Sequence, residues 1–218
     1  MAVLALDTTT AVLTLGITDF NTLERYQTWE IGREISQYLH QHLATFLQPL
    51  SWSDLEWLVV AQGPGSFTGT RMGVVTGRLL AQHLQIPLFG ISNLAALAYA
   101  YATTVSKIHV GDRIAVEIPG QRGSVYGGLF IWDAHQQTLT YPHQPIGCFP
   151  SQEWQQILVR EPIQHHITPT SSSINPQQIC QALIALGHQQ WLAGGRSSWE
   201  AVLPYYGTQA AYAGNSQG

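Results

Sequence analysis

The stretch from Gly69 to Leu84 constrains this chain more than any other. At about 100° per residue around a helix axis, Arg71, Arg78 and Gln82 fall in one stripe only about 40° wide. Nearly every other position is small or apolar: Met72, Val74, Val75, Thr76, Leu79, Leu80, Ala81. A helix that is apolar almost all round is buried almost all round, so this one needs a sheet on one face and a second cover on another. Gly69, Gly73 and Gly77 stand four apart and line one ridge. Each mid-helix glycine costs roughly 0.5–1 kcal/mol relative to alanine, so three at one spacing imply that another backbone approaches closely. The cover is either internal or a partner helix. Because a small lobe has few elements left to supply it, the reading adopted is a partner.

The rest of the chain supplies the sheet. Val3–Leu6, Val12–Thr18 and Leu23–Trp29 read as three strands joined by tight connections, an antiparallel meander. A helix is expected from Gly32 to Leu47, where Ile35, Leu39, His42, Leu43, Phe46 and Leu47 recur at helical spacing and Tyr38 and Thr45 widen the face. Leu58–Ala61 reads as a buried strand, then comes the glycine helix, a strand at Pro87–Ile91 and an Ala-rich helix at Asn93–Ala102. The texture changes around Thr103–Asp112. Strands are expected at Arg113–Ile118, Ser124–Trp132 and Thr138–Tyr141, helices at Gln152–Val159 and Gln177–Leu186, a loop at Thr168–Ser173 and a frayed end at Ala210–Gly218. The pattern is α/β in two lobes, residues 1–104 and 105–218, with the C-terminal segment able to pack back on the first lobe. Three antiparallel strands followed by αβαβ match a ribonuclease-H-like, actin-like ATPase lobe.

Composition narrows the chemistry. In 218 residues, 9 Lys+Arg stand against 13 Asp+Glu, a net charge of −4. Phosphate binding needs clustered positive charge, so strong direct binding of RNA or DNA by this chain alone is not expected. Only 10% of residues are charged, which favours partner contacts. Two cysteines, Cys148 and Cys180, provide neither a disulfide framework nor a Cys-rich zinc site. The nine histidines lack metal-ligand spacing, so no metal is expected. No signal peptide or membrane span is read, and the expected location is the cytoplasm.

Two segments carry candidate chemistry. Asp7-Thr8-Thr9-Thr10 ends the first strand; a carboxylate and hydroxyls in a tight hairpin suit a magnesium-phosphate group, and they equally make a good turn. Gly63-Pro64-Gly65-Ser66-Phe67-Thr68-Gly69 joins a strand to the glycine helix. Pro64-Gly65 suits the centre of a type II turn, and Ser66 or Thr68 suits the helix cap. Exposed N–H groups there would attract an anion, but the Gly-Lys-Ser/Thr ending of a Walker loop is missing. Gly65-Ser66-Phe67 does not match a nucleophile elbow.

The Asp7-Thr8-Thr9 opening, the run Gly63-Pro64-Gly65-Ser66-Phe67-Thr68-Gly69-Thr70-Arg71-Met72-Gly73, and Val125-Tyr126 together resemble the bacterial TsaB (YeaZ) family. The resemblance covers about the first hundred residues well and the remainder poorly. It implies an actin-like fold and a non-catalytic role beside the paralogue TsaD, which transfers a threonylcarbamoyl group to adenosine next to the anticodon of tRNA. It implies a heterodimer through first-lobe helices, with Tyr38, His42, Thr45, Gly69, Met72, Gly73, Thr76, Gly77 and Leu80 at the interface. A homodimer is implied for the chain alone, with TsaE a further partner. Asp7, Thr8 and Thr9 become a weak or vestigial nucleotide site; no cofactor is required by this chain, and ATP enters through the partner complex. The departures lie in the second half. The family's Asp-Ala-Arg before Glu-Val-Tyr is replaced by Pro119-Gly120-Gln121-Arg122-Gly123-Ser124-Val125-Tyr126, and its terminal Pro-x-Tyr-Leu-Arg by Pro204-Tyr205-Tyr206-Gly207. The competing readings are an actin-like ATPase or small-molecule kinase acting on its own, and a glycopeptidase, for which the metal histidines are missing.

Overall fold

The computed structural model describes residues 2–105, 107–140, 146–168, 173–195 and 198–206. Most of the expected Thr168–Ser173 loop, Tyr141, and the expected fraying at Ala210–Gly218 lie outside the described residues. The first sheet contains β1 (Ala2–Asp7), β2 (Val12–Thr18), β3 (Glu24–Glu30), β4 (Leu55–Ala61) and β5 (Leu88–Ile91), in the order β3-β2-β1-β4-β5. The first three strands pair antiparallel, and β4 and β5 add in parallel. The second sheet contains β6 (Arg113–Pro119), β7 (Ser124–Asp133), β8 (Thr138–Thr140), β9 (Gly147–Pro150) and β10 (His165–Ile167). Its order is β10-β6-β7-β8, with β9 pairing the N-terminal half of β7. The three-residue β10 and the four-residue β9 were not anticipated from the sequence. Their pairing with β6 and β7 is what makes them strands.

Strand alternation sends side chains to opposite faces and so separates two cores. From β1 and β4, Leu4, Leu6, Leu58 and Val60 meet α1 (Ile35–Leu47) and α2 (Phe67–Leu84). Val3, Ala5, Trp57 and Val59 face the other way, toward α5 (Pro176–Leu192). That helix lies across β1 to β5 and packs on α3 (Asn93–Thr104), which in turn lies on β6 and β7. On the far side of the second sheet, α4 (Ser151–Arg160) buries Trp154 and Ile157 against Ala115 and Leu129. The layers therefore run α1/α2, first sheet, α3/α5, second sheet, α4. Among the described residues no helix is long and apolar enough to cross a membrane.

Candidate functional site

The first strand delivers Asp7, Thr8 and Thr9 to the loop between β4 and α2, and the two segments close on each other. Thr8 Oγ1 donates to the carbonyl of Gly69 at 2.7 Å. Ser66 N–H donates to the carbonyl of Thr9 at 2.6 Å. Asp7 Oδ1 accepts from both the N–H (2.8 Å) and the hydroxyl (2.7 Å) of Thr9. Asn93, at the start of α3, completes the junction. Its Nδ2 donates to Thr9 Oγ1 at 2.7 Å, its Oδ1 accepts from Gly63 N–H at 2.9 Å, and its N–H donates to the carbonyl of Gly63. Asp7, Thr8, Thr9 and Asn93 are all buried. Sequence reading did not single out Asn93, which is recognisable only as a polar residue opening an otherwise Ala-rich helix.

The loop departs from the expected type II turn. Its positive φ falls on Gly63 (94°), not Gly65, and the Gly63–Pro64 peptide is cis. Gly65 is required for another reason: a Cβ there would overlap the carbonyl oxygen of Thr9. Ser66 caps α2, its side chain accepting from Gly69 N–H at 3.3 Å. Pro64 is buried, while Phe67 and Thr68 are exposed at the first turn of the helix.

An actin-like fold implies a nucleotide phosphate at Asp7, Thr8 and Thr9, and the residues present do not fit one. The hydroxyls of Thr8 and Thr9 are already bonded within the protein, and the backbones of Thr8 and Thr9 fill the space beside Gly69 and Gly65. Burial pushes the Asp7 carboxyl above the usual carboxylate range, only partly offset by its two bonds from Thr9, which disfavours the charged form that a cation needs. Thr70 Oγ1, nearby, is buried without a partner among the described residues. No group of three or more His, Cys, Asp or Glu side chains is arranged to hold a metal among the described residues.

The glycine ridge requires a correction. Gly69, Gly73 and Gly77 face the chain's own strands, not a partner. A Cβ on Gly69 would overlap the carbonyl of Thr8, one on Gly73 would overlap Thr8 Oγ1, and one on Gly77 would lie 2.5 Å from Val60 Cγ1. Thr76 is buried as well. Helical spacing reveals a ridge but not its direction, and the apolar faces on either side gave no polar contrast to orient it. Met72 and Leu80 are half-buried against the α1/α2 core. On α1, Tyr38 is half-buried, the His42 ring sits 4.5 Å from Trp29 of β3, and Thr45 is exposed.

The second cover of α2 is partly internal. Residues 199–206 return from the second half of the chain and run along the helix. The Arg78 guanidinium lies 5.6 Å over the Trp199 ring, Val202 is buried, and Tyr206 packs 4.9 Å from Phe67. Gln62 anchors the segment: its Nε2 donates to Leu203 O at 2.9 Å, and its carbonyl accepts from Tyr205 N–H at 2.8 Å. What stays uncovered on α2 is a strip through Arg71, Val75 and Leu79, with Phe67 at its start. Phe67, Val75 and Leu79 are 57%, 44% and 60% exposed.

In the second lobe, Pro119–Ser124 forms a tight hairpin closed by Gly120 N–H to Ser124 O and Ser124 N–H to Gln121 O. Tyr126, on β7, faces Tyr205 with ring centroids 6.3 Å apart.

Comparison with known proteins completes the site. A family model described as TsaD, tRNA N6-adenosine threonylcarbamoyltransferase, matches residues 33–131. A tRNA threonylcarbamoyladenosine biosynthesis protein TsaB from Bacillus subtilis (strain 168) is 36% identical over 93 residues, 43% of this chain and 38% of that protein. The protein of the same name from Escherichia coli (strain K12) is 28% identical over 129 residues, 58% of this chain and 53% of that protein. The matched region thus spans about half or less of these relatives' length. The solved structure of YeaZ from Pseudomonas aeruginosa superposes with a TM-score of 0.73 at 22% identity, covering 94% of this chain and 100% of that one. At that identity it establishes the fold, the expected actin-like α/β architecture.

Proposed function

We propose that this chain, a TsaB/YeaZ-family protein by these matches, is the non-catalytic subunit that supports a TsaD-type transferase in forming threonylcarbamoyladenosine beside the anticodon of tRNA. The observation that carries this reading is the uncovered strip of α2. Phe67, Val75 and Leu79 stay exposed beside Arg71 on a helix whose other faces are largely packed, and such an edge favours a helical partner. The proposed partner is the TsaD paralogue, with a second copy of this chain occupying the strip when the paralogue is absent and TsaE joining the assembled pair.

The Asp7–Asn93 junction supports a subunit role over an independent ATPase or kinase, because its polar groups satisfy one another. ATP then belongs to the complex, not to this chain. The net charge of −4 leaves tRNA contact mainly to the partner, and the assembly is placed in the cytoplasm, where tRNA is modified. The test is co-purification with the TsaD paralogue of the same genome, together with mass spectrometry of threonylcarbamoyladenosine in tRNA from cells lacking and regaining this chain. Loss of the modified nucleoside and its return with the wild type are expected. Unchanged levels in the deletion strain would overturn the reading.

A further inference from the structure

At the end of the first sheet remote from Asp7 lies a groove that the proposed role does not use. β1 and β2 pair so that Asp7 faces Thr14 while Val3 faces Thr18, which places the β2–β3 turn at the opposite end of the sheet. Between this turn and α5 is an open groove of about 460 Å³, within the range of small-molecule sites.

Three features of its construction point to one class of ligand. The first is a held carboxylate. Tyr26 O–H donates to Glu24 Oε1 at 3.0 Å, and the Gln181 side chain stands beside the Tyr26 hydroxyl, so one carboxylate oxygen is fixed while Glu24 remains exposed. The second is an aromatic rim. Phe20 has a left-handed backbone (φ 58°), which a bulky side chain rarely adopts, and its ring is 47% exposed. The turn around it is pinned: the Asp19 carboxylate accepts the N–H groups of Asn21, Thr22 and Leu23, and the Phe20 ring stacks on His188 at 4.0 Å. The third is the wall, where half-buried Ala185 of α5 supplies aliphatic surface.

Among the described residues no Lys or Arg lines the groove. Arg25, between Glu24 and Tyr26, projects to the other face of β3 by strand alternation and donates to the carbonyls of Phe46 and Gln48 at the end of α1.

We propose that this groove binds an alkyl cation, a flexible methylene chain lying along Ala185 with its ammonium or guanidinium group on Glu24 beside the Phe20 ring. Carboxylate and ring face both favour a cation, and a methylene stem gains by covering apolar wall.

The probe is agmatine, titrated into the full-length protein by calorimetry and by NMR of the aromatic resonances. Saturable binding that perturbs Phe20 and Tyr26 is expected. Glu24→Gln is expected to weaken it about threefold to fivefold, the worth of an exposed ion pair. Phe20→Ala is expected to weaken it by a smaller factor, and the dianion glutarate is expected not to bind. Thermal melting of both variants checks that the fold is kept, as the exposure of Glu24 and Phe20 predicts. The peptide acetyl-Gly-Arg-Gly-amide forms a second arm. If it binds through Glu24 and agmatine does not, the cation is the side chain of a protein partner and the assigned chemistry stands. If neither binds, or if Glu24→Gln binds agmatine as well as wild type, the proposal falls.

Discussion

Two polar regions of the molecule solve the same problem in opposite ways. At the junction of β1 with α2, the polar groups of Asp7, Thr8, Thr9 and Asn93 are bonded to one another and to main chain out of contact with solvent. At the outer edge of the second sheet, β10 is tied down by histidine–carboxylate hydrogen bonds that keep some solvent. His165 Nε2 meets Asp112 Oδ2 at 3.0 Å and has Tyr101 O–H at 3.3 Å on its other nitrogen, while His166 Nε2 meets Glu117 Oε2 at 3.1 Å. The junction depends on backbone approaching backbone, so it needs glycine and tolerates no change of volume. The edge depends on long side chains that can shift, so it tolerates more. Close approach makes polar bonds rigid and costly to break; partial exposure makes them adjustable and weak.

The sharpest break of this contrast is Gly69→Ala. The added methyl meets the carbonyl of Thr8, which is main chain and cannot swing aside. A loss of about 3 kcal/mol is expected, at the upper end of ordinary overpacking, measured by urea denaturation. An unchanged midpoint would mean that the junction is looser than described. Gly73→Leu is expected to lower the melting temperature as well, because the added side chain would displace the Thr8 hydroxyl that donates to the Gly69 carbonyl.

Asn93→Ala comes next. It leaves the Gly63 N–H buried without its acceptor and removes a donor to Thr9 Oγ1, a loss of about 2 kcal/mol. The same denaturation experiment checks it, and a loss below that of an edge variant would reverse the ranking of the two regions.

The two regions should also respond to pH with opposite sign. Burial raises the Asp7 carboxyl above its ordinary value. Its contribution to stability is therefore complete below about pH 4, the unfolded value, and declines as pH rises through the raised folded value. Asp112 is held low, chiefly by the His109 N–H and then by His165. Its contribution is present above about pH 4 and is lost as pH falls through the lowered folded value. Melting curves of Asp7→Asn and Asp112→Asn across this range should flatten opposite slopes. The Asp112 effect should stay below about 1 kcal/mol, as for a partly exposed pair; parallel slopes would remove the distinction.

The smallest effect on stability belongs to Val75→Glu and Leu79→Glu on the uncovered strip. Both side chains are largely exposed, so a change within about 0.5 kcal/mol is expected. Co-purification with the proposed TsaD partner should nonetheless be lost, and size-exclusion chromatography should show the folded chain alone. Retention of the complex would move the docking surface elsewhere.

The strands and helices were legible in the sequence wherever an element was long enough to show its period, as for β2 at Val12–Thr18 and for α2 as far as Leu84. That Ser66 or Thr68 caps α2 was legible too, because a cap is a local hydrogen bond between residues three apart, and the structure selects Ser66. The need for a close approach along Gly69, Gly73 and Gly77 was written in their spacing. What approaches was not. A ridge of glycines carries no side chain to say which way it faces, and only the pairing of β1 beside β4 brings Thr8 and Val60 up to it. Likewise the cover along α2 comes from Trp199–Tyr206, more than a hundred residues away, where no local pattern links Trp199 to Arg78 or Tyr205 to Gln62. The periodic elements and the demand for burial follow from neighbours along the chain, so both are readable without a structure. Tertiary structure alone decided which surfaces met that demand, because burial is indifferent to which apolar or glycine-lined partner supplies it.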